Sequence, residues 1–127
     1  MAERDLGRLL RGMEPVLDER PYGYAVWAGG ALPFAPFATV AEAEGLTVVA
    51  PLADLAVVGI GSEPWARISL TVHSDLAAVG LTAAFAGALA AVGISANVVA
   101  GYHHDHIFVP WDRRDDALAA LKALADA

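Results

Sequence analysis

The sequence contains no cysteine, which excludes a disulfide framework and a thiolate metal site. Basic residues are also scarce, with eight Lys and Arg against fifteen Asp and Glu, for a net charge of -7. Binding to nucleic acid or to an anionic membrane surface needs a basic patch, so the charge argues against both partners. No uninterrupted apolar run reaches the ~20 residues of a membrane-spanning helix, and the charged start leads into no secretory segment. We therefore expect a cytoplasmic protein.

What the sequence does contain is enough apolar material for a core. The chain has 127 residues, of which 57% are hydrophobic. This length lies within the ordinary size of a single domain, and a chain of this length can bury a core without disulfides or metal. The high apolar fraction also argues against intrinsic disorder.

In the first half of the sequence the predicted helices and strands follow no regular order. Leucines and Met13 at helical spacing predict a short N-terminal helix that ends before Pro15. The Arg20-Pro21 pair predicts a break, because a residue before proline avoids the helical region. A strand over Tyr22 to Ala28 follows. Further on we expect a strand at residues 47–49, preceded by either a hairpin partner or a short helix, and then a short helix over residues 52–58.

The second half has clearer periodicity. Residues 65–72 alternate between apolar and polar as a half-buried strand does. Leu81, Phe85, Leu89 and Val92 then fall on one helix face, and Gly93 stands where a left-handed cap is expected. Strands are predicted over residues 94–102 and 107–111, joined by a turn at residues 103–105. A last helix follows, with Asp112 as its cap.

The order of elements in the second half is β-α-β-β-α. This is a ferredoxin-like unit without its last strand. A missing strand leaves an open sheet edge, so we expect either the first half of the chain or another subunit to cover it.

The string WARISLTVHSDLAAVGLTAAFAGALAAVGISANVVAGYHHDHIFVPWDRRDDALAAL resembles the ACT-domain superfamily. It is most similar to small stand-alone bacterial ACT-like proteins, and FATVAEAEGLTVVAP in the first half resembles the N-terminal part of the same group. The resemblance implies an α+β fold with ferredoxin-like antiparallel sheets and helices on one face. It also implies two ACT-like halves, a partial one at residues 1–62 and a second at residues 63–127.

The resemblance implies a regulatory protein that binds an amino acid or a similar small metabolite, without catalysis and without a cofactor. ACT domains usually pair side by side, which implies a homodimer or a higher homo-oligomer with ligand at the interface. The resemblance places the ligand in the loop before the first helix of the unit and at a polar position of the following strand. These residues are Ser74, Asp75, Leu76, Ala77, Ala78, Val79, Gly80 and Asn97. Many ACT domains carry a Pro-Gly or similar small pair early in this loop, where this chain has Leu76 and Ala77, so the ligand geometry is expected to differ.

The residues of the loop support a binding site by themselves. The loop leads into a helix N-terminus, where backbone N–H groups and the helix dipole favour an anion such as a carboxylate. Asp75 is suited to an ammonium group at the other end of an amino acid. The alternative is that Asp75 or Ser74 only caps the helix, and that Asn97 only satisfies backbone groups at a sheet edge.

Three other interpretations remain open. His103, His104 and His106 could chelate zinc or nickel, although a polar turn around Asp105 is the simpler reading and we predict no metal. Glu42 and Glu44 would share a face of a strand, where paired carboxylates could act as acid and base, although a solvated face is favoured. The open edge could instead recruit a protein partner by strand addition, which would make the chain an interaction module.

Overall fold

The computed structural model describes residues 4–72 and 77–126. Its helices are α1 (Leu6–Gly12), α2 (Leu52–Val57), α3 (Leu81–Ala91) and α4 (Arg114–Asp126), and a 3₁₀ turn, Trp111–Arg113, precedes α4. Its strands are β1 (Pro15–Trp27), β2 (Ala38–Glu42), β3 (Gly45–Pro51), β4 (Trp65–Leu70), β5 (Asn97–Ala100) and β6 (Asp105–Pro110). None of the helices in the described ranges has the length and apolar character that crossing a bilayer requires.

The chain forms two compact units. The larger unit comprises residues 1–18 and 66–127, and the smaller unit comprises residues 19–65. The boundary therefore falls within β1 and near the start of β4.

The larger unit has the predicted ferredoxin-like order. Its strands lie in the order β1-β4-β6-β5, so the first residues of β1 occupy the position of the absent last strand beside β4. The backbone N–H of Thr71 donates to the carbonyl of Glu14 at 3.2 Å, and Arg67 forms an ion pair with Asp18 at 3.2 Å. The edge of β4 is thus covered by the N-terminal part of the same chain, which was one of the two expected solutions.

The core of the larger unit lies between one face of this sheet and its helices. Ile68 and Leu70 of β4, together with Ile107 of β6, are fully buried. Phe85 of α3 and Leu121 of α4 pack in the same cluster. Because side chains alternate across a strand, the burial of these residues places Arg67, Ser69 and His106 on the face without helices.

The smaller unit is a three-stranded antiparallel sheet in the order β2-β3-β1. The register pairs Val40 with Thr47 and Thr47 with Val26. The segment before β3 is therefore a hairpin strand and not a helix. Val48 and Leu55 are buried in the core of this unit, and α2 covers only one face of the sheet.

Several sequence predictions about boundaries were wrong. The strand β1 runs through Arg20-Pro21 without a break, because a residue before proline favours extended backbone, which a strand also needs. The strand β5 covers only residues 97–100, and β6 begins at Asp105, so the turn lies at residues 101–104. Here the N–H of Gly101 donates to the carbonyl of His104 at 2.9 Å. Asp112 lies in the 3₁₀ turn before α4.

The helix α3 confirms most of its predicted face. Leu81, Phe85 and Leu89 are buried, and Gly93 has the left-handed conformation with φ of 73°. Val92, however, remains 49% exposed because the helix ends at Ala91. The helical spacing of apolar residues thus extends in the sequence to Val92, one position beyond the last residue of α3.

The contrast between Leu89 and Val92 can be measured. Leu89→Ala should lower the free energy of unfolding by about 2–5 kcal/mol, because it leaves a cavity in a fully buried position. Val92→Ala should change it by less than about 0.5 kcal/mol, because the side chain is half exposed. Urea unfolding of both variants beside the unmodified protein makes the comparison. Equal losses in the two variants would contradict this packing of α3.

Candidate functional site

The loop before α3 is the predicted ligand site, and only its second part lies within the described residues. Ser74, Asp75 and Leu76 lie outside them. Ala78 packs against the core of the larger unit, whereas Ala77 is exposed and Val79 is 83% exposed. The loop therefore has one anchored residue between two that face solvent.

Gly80 sets the direction in which the chain enters α3. Its φ is 97°, a conformation that side chains other than glycine rarely adopt. A Cβ atom at this position would also lie 3.0 Å from Cδ2 of Leu6 in α1. The carbonyl of Gly80 accepts the first helical hydrogen bond, from Ala84 N at 2.9 Å. The positive φ is therefore the main reason for glycine at this position, and a side chain here would also require Leu6 to shift slightly.

The first turn of α3 has the properties of an anion site. The first N–H groups of any helix lack an intrahelical acceptor. In α3, Gly80 supplies no side-chain cap, and the first turn contains no acidic residue. A ligand carboxylate would therefore meet no competing negative charge within this turn, and the helix dipole would favour it.

Asn97, the second predicted element of the site, is the first residue of β5 and is exposed. It is opposite Phe108 in the β5-β6 pair. Since Ile107 and Val109 face the helices, Phe108 and Asn97 lie on the other face of the sheet. Asn97 and the first turn of α3 thus belong to different faces of the larger unit.

Polar side chains form a row on the face without helices, which the sequence analysis did not single out. Asp18 and Arg67 form an ion pair at 3.2 Å, with 13% and 22% of their side chains exposed. On the neighbouring strands, Oγ of Ser69 lies 2.7 Å from Nδ1 of His106. The alternation in β4 predicts Arg67 and Ser69 on one polar face, as the structure has them, but the partner on β6 depends on the strand order.

The surroundings of this row shift the pKa values of His106 and of its neighbour Asp105. Burial lowers the pKa of His106, and electrostatic interactions with Arg67 and His104 lower it further. Burial raises the pKa of the neighbouring Asp105, which His104 partly offsets. The neutral imidazole is therefore the form of His106 that the folded protein favours.

The histidines beside this row do not form a metal centre with the other described residues. Among residues 4–72 and 77–126, no three His, Asp or Glu side chains are placed to hold one ion. His103 instead packs edge-on against Tyr102, with ring centroids 5.0 Å apart. His73, which could in principle join such a cluster, lies outside the described residues.

Glu42 and Glu44 do not form an acid–base pair on one strand face. Glu42 ends β2, whereas Glu44 lies in the turn to β3. Glu42 accepts a hydrogen bond from the hydroxyl of Thr47. Because Glu44 lies in the turn, the two carboxylates do not share a strand face as they would on an uninterrupted strand.

The shifted pKa of His106 predicts how stability depends on pH. On acidification the unfolded chain takes up a proton near its ordinary pKa of about 6.5, before the folded protein does. Folding is therefore weakened as pH falls from about 6.5 to the lower pKa of folded His106. The free energy of unfolding of the unmodified protein should fall more than that of His106→Asn between pH 8 and pH 5, as urea unfolding at each pH would measure.

Ser69→Ala provides the control, because it removes the hydroxyl and keeps the imidazole. This variant should lose stability on acidification, as the unmodified protein does. If the difference between the unmodified protein and His106→Asn stayed constant across this range, or grew toward pH 5, the sign assigned to His106 would be wrong.

Comparison with known proteins identifies the family of both halves. One ACT-domain family model matches residues 61–123. Another ACT-domain model matches residues 1–64. No relative was found among curated proteins.

Solved structures share this fold over nearly the whole chain. A Vibrio cholerae protein of unknown function, described as a possible transport protein, is 46% identical, with 94% of this chain and 95% of that chain covered and a TM-score of 0.84. A protein from Agrobacterium tumefaciens is 15% identical, with 89% of each chain covered and a TM-score of 0.73. The ligand-free regulatory subunit of aspartate kinase from Thermus thermophilus is 13% identical, covers 87% of this chain and 95% of its own, and has a TM-score of 0.61.

These matches agree with the ferredoxin-like strand order of the larger unit and with its layer of helices on one face of the sheet. ACT domains are typically regulatory and bind ligands. The chain belongs to the ACT-domain family.

Proposed function

We propose that this protein is a regulatory sensor that binds an amino acid and acts without catalysing a reaction. The ligand carboxylate lies at the first turn of α3, and the ligand-binding residues proposed for the rest of the ligand are those of the preceding loop, residues 74–80. The observation that carries the proposal is the start of α3 at Gly80, with a left-handed backbone, no side-chain cap and no acidic residue in its first turn. An amino acid supplies both the carboxylate for these amides and an ammonium group for Asp75.

The family supports this assignment without identifying the ligand. A structural neighbour is a regulatory subunit of aspartate kinase, a protein that controls an enzyme. The ligand would act by favouring one quaternary arrangement, which requires different affinities for the two arrangements.

The ligand proposal predicts a change in thermal stability. At least one of the twenty amino acids, at millimolar concentration, should raise the melting temperature, because a ligand that binds only the folded state stabilises it by mass action. Differential scanning fluorimetry against the full panel makes the measurement. A flat response to every amino acid would remove the sensor hypothesis.

Val79→Asp tests the position of the carboxylate. Val79 is 83% exposed, so the substitution leaves the core intact, but it places a negative charge just before the first turn of α3. It should weaken binding about tenfold or more, a loss of roughly 1.4 kcal/mol, through repulsion of the ligand carboxylate. Val79→Asn has a similar shape without the charge and should retain binding. Equal affinity of the two variants would place the carboxylate elsewhere.

Asn97 is tested in the same titration. Asn97→Ala should weaken binding if the strand position contacts the ligand, and Ser95→Ala is the matched control because Ser95 is exposed two residues before it. Since Asn97 and α3 belong to different faces of one larger unit, a joint role for both requires a second copy of the chain. Loss of affinity in Asn97→Ala but not in Ser95→Ala supports that arrangement.

We propose further that the protein is a homodimer formed through the edge strand β5. Among the described strands, β5 lies at the end of the strand order with β6 as its one neighbour, and a strand at a sheet edge can accept another strand. Val98 of β5 and Tyr102 of the turn that follows it are 36% and 75% exposed. Burying them against a second copy removes apolar surface from water.

The dimer predicts a doubled molar mass in solution. Light scattering coupled to size exclusion should give the mass of two chains of 13.2 kDa. Val98→Lys should shift the protein to the monomer, because a lysine on an edge strand opposes pairing. Val16→Lys is the control, because Val16 is 50% exposed on a different strand of the same unit. A monomeric unmodified protein, or equal dissociation by both variants, would contradict the proposed edge.

A further inference from the structure

The sheet of the smaller unit has one face that α2 does not cover. Val48 and its β1 neighbour Ala25 pack toward the core with Leu55 of α2. Because side chains alternate, Val26 and Thr47 point to the opposite face. The strand register places these two residues and Val40 in one row across β1, β3 and β2.

Val26 and Thr47 of this row line a shallow groove, and Val40 lies next to Thr47 on the neighbouring strand. Val26 and Val40 are 60% and 53% exposed, which is high for valines in adjacent strands. The groove has a volume of about 260 Å³ and is lined by Tyr24, Ala25, Val26 and Thr47. Pockets for drug-sized ligands are roughly 300–1,000 Å³, so the groove suits a smaller molecule with an apolar body.

A carboxylate marks one end of the groove. Glu42 follows Val40 by two residues on the same face, and its Oε1 accepts the hydroxyl hydrogen of Thr47, a lining residue. The ring of Tyr24 lies toward the other end and packs edge-on against Trp65, with centroids 6.0 Å apart. The groove thus has an anionic end, an apolar floor and an aromatic end.

The stretch of chain that contains the groove residues has charged side chains of a single sign. Between Pro21 and Ala66 the sequence contains four acidic residues and no Lys or Arg. Arg20, at the start of the unit, donates to the hydroxyl of Tyr22 at 2.8 Å. Within this stretch an anionic ligand would find no basic side chain to pair with, whereas a cation would meet Glu42 and a negative field.

We propose that this groove binds a small organic cation of the alkylammonium class. The ammonium group pairs with the carboxylate of Glu42, and the hydrocarbon chain lies over Val26 and Thr47 toward the ring of Tyr24. This site is in the smaller unit and is independent of the amino-acid site proposed in the larger unit, so either can fail without the other.

The test uses three probes of similar length and different charge: pentylammonium, 1-pentanol and pentanoate. Binding is followed by NMR of the valine methyl groups at constant ionic strength. Pentylammonium should shift the methyl signals of Val26 and Val40 in a saturable way, 1-pentanol should bind at least about fivefold more weakly, and pentanoate should not bind. Equal binding of the amine and the alcohol, or unmoved signals of Val26 and Val40, would overturn the proposal.

Matched variants separate this site from general attraction to an acidic protein. Glu42→Gln should weaken pentylammonium binding about three- to fivefold, whereas Glu44→Gln changes the net charge equally and should not weaken it. Val26→Thr should also weaken binding, because it puts a hydroxyl under the hydrocarbon chain. Val57→Thr is its control on α2, where the valine is 73% exposed. Equal effects of the two Gln variants would mean that only net charge attracts the cation.

Discussion

The burial of one sheet face of the larger unit under its helices is the constraint from which the rest of that unit follows. Ile68 and Ile107 must point toward Phe85 and Leu121 to leave water. Once they do, alternation sends every second residue of β4 and β6 to the other face. The ion pair of Arg67 and the contact between Ser69 and His106 are consequences of this alternation of side chains.

The same principle acts in the smaller unit with a different result. Its helix covers one face, and the residues sent to the other face are mostly apolar, with one carboxylate at the rim. A face that is required only to be soluble would be expected to carry more charge. The two units therefore present different chemistry on this face, one a polar row with a histidine and the other an apolar groove beside a glutamate.

The sequence predicted the elements with strong periodicity and missed features that depend on pairing. Leu81, Phe85 and Leu89 repeat at helical steps, and β4 alternates over six residues, so both elements could be recognised locally. The break expected at Pro21 was wrong because extended backbone before a proline is as compatible with a strand as with a loop. The length of β5 could not be predicted, since it depends on where β6 stops pairing with it.

The candidate site was predictable to a similar degree. The glycine at position 80, before the helical pattern of α3, could be identified from the sequence. Its positive φ and its proximity to Leu6 of α1 could not. The partners of His106 and Glu42 required strand order and register, which no local pattern contains. What sequence reasoning supplies is the face of each residue; what it cannot supply is the neighbour across the sheet.

The origin of β1 has a consequence for how the chain reaches its native state. The strand that completes the sheet of the larger unit comes from the N-terminus, whereas its neighbour β4 follows only after the whole smaller unit. Pairing them closes a long loop, whose entropic cost falls if the intervening residues have already become compact. During synthesis on the ribosome the smaller unit can form first, whereas the N-terminal segment can pair with β4 only after β4 has been synthesised.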